Sequence, residues 1–418
     1  MPTETAPITP PLDIPENIQH SWGAYTPYFS TAEYKAPPKH CRITQVNIIQ
    51  RHGARFPTSG STERILSALK KIQSSPSFKD QRLEFLRNYT YDLGSDNLVP
   101  FGAAQSFDSG QMDYVRYKDL VNSSVPFVRA SGSTRVVDSS TNWTTGFAHA
   151  SGGTITPSLD LILPESLNDT LDDSMCPNAG SSDNQTNIWQ AIYATSIAAR
   201  LNDAAPGANL TDADASNLIS LCAFDTVANE RPSPFCNLFD QTDFDGFEYL
   251  SDLDKFYGTG YGQDLGPVQG VGYINELIAR LMESPVRDNT QTNRTLDSDP
   301  STFPLNRTMY ADFSHDNEMI AIYSALGLFR QKSNLDPTQP NPQRTWITSQ
   351  LTPFSARLVT ERLDCSGEVS VRMLVNDALQ TLEFCGADSD GVCTLAAFVT
   401  SQGYARSDGG GDFERCFT

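Results

Sequence analysis

The chain has 418 residues, a formal net charge of −20 at pH 7, and 39% hydrophobic and 10% aromatic residues. This length supports a large hydrophobic core and is typical of two domains. The excess of acid argues against a nucleic-acid partner, which requires a basic face, and no apolar run approaches the ~20 residues that cross a bilayer. We therefore expect neither a nucleic-acid nor a membrane partner, and a monomer.

Residues 1–36 are rich in Pro and Thr and predict an extended N-terminal arm. The opening MPTET has no basic region followed by an apolar segment, so we expect no signal peptide in this sequence. The first predicted strand begins at Cys41 and runs through the apolar residues 46–49 to Arg51.

The most informative segment, residues 50–57, directly follows this apolar run and reads QRHGARFP. Arginine binds phosphate oxygens through a planar fork and keeps its charge, and histidine is a nucleophile or proton carrier near neutral pH. Gly53 permits close backbone approach to a ligand, and Pro57 fixes the exit of the loop. Each residue alone is typical of a basic surface loop, but the five fixed residues of R-H-G-x-R-x-P recur by chance in roughly one such chain in ten thousand. The segment predicts a histidine nucleophile inside a phosphate clamp.

Helical patterns dominate the middle of the chain. Residues 61–86 carry apolar side chains on one face, and residues 166–295 are mostly helical, including 188–201 and 273–282. These segments predict a helical unit inserted into an α/β unit.

Two arginines compete for a further phosphate contact. Arg129 follows the apolar residues 125–128, so it could point into a cleft at a strand end. Arg135 lies one short loop later, in a turn that leads into a helix. The residues alone leave both assignments open.

A second motif lies far downstream, where the predicted strand 309–313 is followed by SHDN and a helix from about Glu318. Asp316 and Asn317 are expected at the N-cap, so that free N–H groups and the positive end of the helix dipole face the loop. A His-Asp pair alone is usually a cap, but with the first motif it indicates a phosphate site.

The C-terminal part contains a Pro/Asn/Gln-rich loop at 337–344 and a predicted hairpin from 371 to 384 that turns at Asn376-Asp377. Strands followed by helices predict an α/β fold, with a mainly parallel sheet flanked by helices and a smaller inserted α-helical domain. The expected domains are the arm 1–36, a discontinuous α/β catalytic domain (37–58, 99–165 and 296–418) and the α-helical domain (59–98 and 166–295).

Cysteines and sequons indicate secretion. The chain has eight cysteines and no CxxC pair, which favours disulfides in an oxidising compartment over a metal site. Spacing favours local bridges Cys222–Cys236 and Cys385–Cys393. Eight Asn-x-Ser/Thr sequons favour a glycosylated extracellular protein; they lie at Asn88, Asn122, Asn142, Asn168, Asn184, Asn209, Asn293 and Asn306.

From about residue 37 to its C-terminus, the chain resembles the histidine acid phosphatase family and, within it, the fungal phytases, with a lean toward the basidiomycete type. Besides the two motifs, the resemblance is carried by residues 127–135, 266–273, 275–281 and 410–417. It implies a phosphoglycerate-mutase-like α/β domain beside a smaller α domain, with the site between them. It also implies the bridges Cys41–Cys365 and Cys176–Cys416.

The resemblance implies that His52 attacks phosphorus to form a phosphohistidine and that Asp316 protonates the leaving alcohol. The implied phosphate ligands are Arg51, Arg55, Arg135 and His315, which leaves Arg129 as a structural ion-pair partner. Three arginines and a histidine can stabilise the charge of a phosphoryl transition state, so no metal or cofactor is expected.

A substrate with several phosphates needs further cations, for which the candidates are Arg64, Lys70, Lys71 and Lys255. Each is equally typical of a solvated charge on a helix face. Fungal phytases often have a more lysine-rich stretch after the first motif and a lysine pair where this chain has Asp254-Lys255, so selectivity for phytate and the position attacked first stay open. We expect a secreted phytase acting on myo-inositol hexakisphosphate, with a broad-specificity acid phosphatase and a non-enzymatic phosphate-binding glycoprotein as alternatives.

Overall fold

The computed structural model describes residues 6–121 and 124–418. Within these residues an eight-stranded mixed sheet forms the centre of the α/β unit. The strands are β1 (Cys41–Arg51), β2 (Phe127–Ser131), β3 (Leu159–Leu163), β4 (Met309–Ser314), β5 (Arg357–Cys365), β6 (Glu368–Val375), β7 (Ala378–Leu379) and β8 (Cys393–Thr394).

The predicted parallel arrangement describes one half of the sheet. Strands β3, β2, β4 and β1 lie side by side and parallel, whereas β5 and β6 extend the sheet in antiparallel pairs, with β7 and β8 on β6. The reason is local: Ser366 and Gly367, between β5 and β6, both have positive φ, as do Asn376 and Asp377 after β6. Two-residue turns of this kind join only antiparallel strands.

Helices surround the sheet and build a second unit. The α-helices are α1 (Glu16–Gln19), α2 (Ser59–Gln73), α3 (Pro100–Tyr117), α4 (Thr134–Ala150), α5 (Asp183–Ala204), α6 (Asp212–Asn229), α7 (Gln241–Gly258), α8 (Val271–Met282), α9 (Arg294–Asp297), α10 (Asp316–Leu326), α11 (Thr348–Leu351), α12 (Leu395–Ser401), α13 (Gly403–Arg406) and α14 (Asp412–Arg415). Short 3₁₀ helices lie at Gly23–Tyr25, Gln81–Arg87, Lys118–Leu120, Pro234–Leu238, Pro267–Gly270, Glu383–Cys385 and Asp408–Gly411.

The helical unit has its own core. Apolar side chains of α2, α5, α6 and α7 bury one another there, as the amphipathic patterns predict. Helix α8 behaves differently, because Arg280 forms an ion pair with Asp312 of β4 and Tyr273, Ile274 and Leu277 belong to the core on the sheet. We therefore propose that the helical domain ends soon after α7 rather than at residue 295.

The N-terminal arm is anchored rather than simply extended. It contains α1, it buries Trp22 to 1% exposure, and the carboxylate of Asp108 accepts the backbone N–H groups of Ile8 and Thr9 at 2.8 Å each. Among residues 6–121 and 124–418, no helix is long and apolar enough to cross a membrane.

The eight cysteines form Cys41–Cys365, Cys176–Cys416, Cys222–Cys236 and Cys385–Cys393, the pairs that spacing and the family resemblance predict. The first joins β1 to β5 beside the sheet. The second joins the loop after β3 to the C-terminus.

Candidate active site

The two sequence motifs meet at the carboxyl edge of the sheet. Strands β1 and β4 are parallel neighbours with Arg51 opposite Ser314, so the residues that follow, His52 and His315, emerge side by side. Their ring centroids lie 5.8 Å apart, and the backbone N–H of His52 donates to the carbonyl of Ser314 at 3.0 Å. Ligand sites of open α/β sheets form at this edge.

His52 is held as a neutral imidazole with a defined tautomer. Its Nδ1 lies 2.8 Å from the carbonyl oxygen of Gly53, and because a carbonyl can only accept, Nδ1 carries the hydrogen. Burial, followed by the nearby charges of Arg51 and Arg55, lowers the pKa of His52 well below its usual value. The Nε2 atom is therefore left with a lone pair, as a nucleophile requires.

The loop that carries His52 is clamped against α3. A Cβ on Gly53 would lie 2.2 Å from the carbonyl oxygen of Gly102, and a Cβ on Gly102 would lie 2.0 Å from that of Ala54. The amide of Ala54 donates to the side chain of Gln105 at 3.0 Å. Glycine is required on both sides because the two backbones touch.

Three arginines converge on His52 with donors left over. Arg51 is buried, donates to the carbonyl of Thr352 at 2.7 Å, and lies over the Phe354 ring. Burial lowers its pKa to about 10, so it keeps its charge at neutral pH. Within the described residues, the buried Nε–H groups of Arg51, Arg55 and Arg135 have no hydrogen-bond partner. Unpaired buried donors of one charge are costly unless an anion binds them.

Asp316 faces the same cations. It is the first residue of α10, whereas His315 occupies the N-cap position that the sequence assigns to Asp316 and Asn317. The Asp316 carboxylate lies 3.2 Å from Arg51 Nη2 and 3.0 Å from Lys255 Nζ. Although burial opposes it, the positive charge of Arg51 and Lys255 holds the pKa of Asp316 well below its usual value.

Glu165 belongs to the site and was missed by the sequence interpretation. Its Oε1 accepts from His315 Nε2 at 2.9 Å, from the Ser131 hydroxyl at 3.0 Å and from the Ser133 amide at 3.0 Å. The hydrogen bond from His315 is the main cause that lowers the pKa of Glu165 to about 2. The sequence signal that could have identified Glu165 is its position two residues after β3, at the same edge of the sheet as the two motifs.

A possible metal cluster coincides with this hydrogen bond. Glu165, Asp172 and His315 each bring one donor atom within 4.8 Å of the others. Since Nε2 of His315 already donates to Glu165, the arrangement reads as a hydrogen-bonded pair. The other such cluster, His40 with Cys41 and Cys365, uses sulfurs that are joined in a disulfide.

A cleft of about 500 Å³ opens above these residues, lined by Arg55, Arg135, His315 and Asp316 on the sheet side and by α5 and α7 on the other. Of the candidates for outer cations, Arg64 and Lys255 line the cleft. The cleft is also lined by the carboxylates of Asp172, Asp173, Asp183 and Asp254.

The three lysine candidates, Lys255, Lys70 and Lys71, differ in their surroundings. Lys255 is buried against Asp316 and also donates to Asn317 Oδ1 at 2.7 Å. Lys71 pairs with Asp214 at 2.6 Å, and Lys70 is exposed in a separate groove beside Tyr89 and Tyr91. Neither Lys70 nor Lys71 is among the residues that line the cleft, so this geometry does not support their assignment to substrate binding, which stays a prediction.

Arg129 and Arg135 differ in their ion pairing and in their position relative to the cleft. Arg129 is buried and pairs with Asp312 at 2.8 Å and Glu276 at 2.6 Å, so its charge is already matched. Arg135, in the first turn of α4, lines the cleft with Nη2 3.3 Å from His315 Nδ1. This arrangement favours Arg135 as the phosphate ligand.

The sequon asparagines differ in accessibility. Five are exposed: Asn88, Asn168, Asn184, Asn209 and Asn306. Asn142 lies within α4 and donates to the Asp138 carbonyl, and the Asn293 side chain caps α9. Asn122 lies outside the described residues, and glycosylation at all eight stays a prediction.

Known proteins resemble this chain over most of its length. Residues 42–376 match the histidine phosphatase superfamily (branch 2). Phytase A of Aspergillus fumigatus is 42% identical over 96% of this chain and 90% of its own length, and Phytase A of Aspergillus oryzae is 40% identical over 96% and 91%.

Solved structures share the fold at lower identity. The phytase from D. castellii superposes with a TM-score of 0.77 at 22% identity, covering 95% of this chain and 88% of that one. The Bifidobacterium longum multiple inositol polyphosphate phosphatase, in complex with inositol hexasulfate, gives a TM-score of 0.65 at 16% identity, covering 90% and 96%.

Proposed function

Because the chain belongs to the histidine phosphatase superfamily, we propose that it is a phytase, which hydrolyses phosphomonoesters of myo-inositol hexakisphosphate through a phosphohistidine on His52. The observation that carries the proposal is the unprotonated Nε2 of His52 among unpaired guanidinium N–H groups. A phosphoryl group fits there because it offers an electrophilic phosphorus and acceptor oxygens together.

In the first step, Nε2 of His52 attacks phosphorus while the bond from phosphorus to the ester oxygen breaks. The arginines and His315 bind the phosphoryl oxygens, whose charge is spread out in the transition state. The leaving oxygen takes a proton from Asp316, and the Nδ1–H of His52 keeps its bond to the Gly53 carbonyl.

Asp316 must gain a proton before it acts as this acid. In the free protein Arg51 and Lys255 favour its ionised form. A bound phosphate places negative charge among the same cations and so favours protonation of Asp316. Mildly acidic solution supplies that proton, which fits an acid phosphatase.

In the second step, water attacks the phosphohistidine and the phosphorus–nitrogen bond breaks, returning the electron pair to Nε2. Asp316, now a carboxylate, accepts the proton of the water. Two displacements on one nucleophile replace one difficult displacement.

The substrate class is supported by the Phytase A relatives, which match nearly the whole chain. A broad-specificity acid phosphatase is the second candidate, favoured by the carboxylates in the cleft. The ratio of kcat/KM for phytate and for p-nitrophenyl phosphate separates the two, since a clear preference for the small ester contradicts the phytase assignment. The disulfides and exposed sequons support a secreted glycoprotein.

The covalent intermediate provides the direct test. Acid-quenching the enzyme with ³²P-labelled phytate should trap phosphate on His52, and His52→Ala should lose both the label and at least about 10³-fold in kcat. His149→Ala is the matched control, because His149 is exposed on α4 away from the cleft. Turnover by the His52 variant at the wild-type rate would refute the assignment.

A further inference from the structure

The geometry points to Glu165 as a positioning residue that holds His315 through its Nε2–H and stabilises the doubly protonated ring when phosphate is bound, so that His315 Nδ1–H donates to a phosphoryl oxygen. This inference rests on the proposed phosphatase activity and assigns a role to a residue outside the two sequence motifs. Glu165 acts through His315 and is not itself required to touch the substrate.

The hydrogen-bonding capacity of the two ring nitrogens gives the first argument. Nε2 of His315 lies 2.9 Å from the Glu165 carboxylate, which can only accept, so Nε2 carries a hydrogen. Nδ1 lies 3.3 Å from Arg135 Nη2, which can only donate. In the free protein Nδ1 therefore offers its lone pair to Arg135.

A bound phosphate reverses the requirement at Nδ1. Phosphoryl oxygens are acceptors, so His315 binds one through Nδ1 only when Nδ1 also carries a hydrogen. With Nε2–H engaged by Glu165, the ring is then an imidazolium. Its positive charge must be balanced nearby, because His315 is only 6% exposed.

The charges around His315 show why Glu165 is needed. Arg135 of α4 lies 3.3 Å from Nδ1 and opposes a further positive charge, and the neutral His52 ring of the catalytic loop lies beside His315 with centroids 5.8 Å apart. Carboxylates face it from the loop after β3: Glu165, Asp172 at 3.7 Å from Nε2, and Asp173. Asp316 follows it in the chain. Of these acids, Glu165 makes the hydrogen bond to the ring.

The position of Glu165 is fixed independently of His315. Ser131, at the end of β2, and the Ser133 amide, before α4, both donate to the same oxygen. The low pKa of Glu165, about 2, keeps it ionised across the acidic range. The carboxylate is thus a fixed negative charge beside the ring, and it balances the positive charge that the ring carries when phosphate is bound.

The test compares Glu165→Gln, which keeps the shape and removes the charge, with Glu165→Asp, which keeps the charge. In pH profiles of kcat/KM for p-nitrophenyl phosphate, Glu165→Gln should move the basic limb to lower pH by about one unit. It should also weaken competitive inhibition by inorganic phosphate roughly tenfold on that limb but little at low pH. Glu165→Asp should restore part of the wild-type profile.

The matched control is Asp169→Asn. Asp169 Oδ2 lies 2.9 Å from the same Ser131 hydroxyl, whose single hydrogen is shared between Asp169 and Glu165. Among the described residues no hydrogen bond or ion pair joins Asp169 to His315, so this variant should keep the wild-type basic limb. Loss of activity by the same factor at every pH in Glu165→Gln, or an equal shift in Asp169→Asn, would overturn the proposal. Thermal unfolding and circular dichroism show whether each variant is folded. Since the probes are p-nitrophenyl phosphate and inorganic phosphate, failure to hydrolyse phytate would contradict the proposed substrate and leave this test intact.

Discussion

The surroundings of His52 and Asp316 hold the two side chains in different protonation states. Burial, followed by the nearby positive charges, lowers the pKa of His52, and at Asp316 the positive charges of Arg51 and Lys255 outweigh burial and lower the pKa as well. The histidine is therefore neutral and the aspartate ionised. A neutral histidine is the nucleophilic form, so the site is ready for the first step on that side. The aspartate is ready only after an anion has bound.

Asp316→Asn tests the acid role at this scale. An amide keeps the shape and cannot give up a proton, so kcat for phytate, whose alkoxide leaving group is poor, should fall by about 10²- to 10⁴-fold. The loss for p-nitrophenyl phosphate, whose leaving group needs no protonation, should be much smaller. Equal losses for the two esters would exclude Asp316 as the acid.

At the scale of elements, the catalytic loop and α3 form one rigid unit, because Gly53 and Gly102 allow their backbones to touch. The sequence indicated the use of Gly53 but gave no reason to single out Gly102. The hydrophobic pattern of the sequence also did not identify β5. The structure shows this strand paired antiparallel to β6 through the turn at Ser366-Gly367.

Gly102→Ala should therefore displace the loop. Its Cβ would meet the Ala54 carbonyl at 2.0 Å, so we expect a loss of several kcal/mol of stability and a large drop in kcat. Gly60→Ala is the matched control in the first turn of α2, where the nearest atom is the flexible Arg64 guanidinium at 3.6 Å. That variant should keep its Tm and activity, and a Gly102→Ala enzyme equal to it in both would contradict the close-contact explanation.

Helix α10 also carries a buried acid without a partner. Glu318 is fully buried, and among the described residues neither carboxylate oxygen has a hydrogen bond. Burial, with the nearby carboxylates of Asp173, Asp172 and Asp169, raises the pKa of Glu318 well above its usual value. The folded state therefore binds a proton that the unfolded state releases above about pH 4.5.

The sign of the stability effect follows. The contribution is fully present below the unfolded pKa and is lost as pH rises toward the folded pKa, by up to about 1.4 kcal/mol per pH unit. Glu318→Gln removes this loss, so it should raise Tm relative to wild type at pH 7 and change it little at pH 3.5. Thermal unfolding at the two pH values checks this, and an equal change at both would show that Glu318 does not titrate between the states.

At the scale of the whole molecule, the chain has a net charge of −20, and some of its acidic residues lie in the cleft. Asp172, Asp173, Asp183 and Asp254 line the cleft, and burial with the neighbouring Asp172 raises the pKa of Asp173 to about 6. A polyanionic substrate meets less repulsion when Asp173 is protonated. We therefore expect polyphosphates to bind more tightly in mild acid.

Asp254→Asn tests this repulsion. Asp254 is half exposed on the cleft wall, and its removal should raise kcat/KM for phytate at pH 6 by about fivefold, because one unit charge at short range contributes about 1 kcal/mol in water. The value for p-nitrophenyl phosphate should change much less. Asp203→Asn, an exposed acid paired with Lys79 outside the cleft, is the control and should change neither. No gain on phytate would show that the cleft carboxylates do not govern its binding.

The sequence by itself determined the chemistry and the class of fold. The two motifs, with the family resemblance, predicted His52, Asp316 and their phosphate ligands, because the required residue types stand together at strand ends. Tertiary structure alone decided the partners of the cations: Lys255 forms an ion pair with Asp316, and Lys71 forms one with Asp214. It also brought Glu165 to His315, 150 residues apart in the chain. Local patterns report the neighbours of a residue along an element, whereas charge pairing across the cleft depends on how separate elements pack.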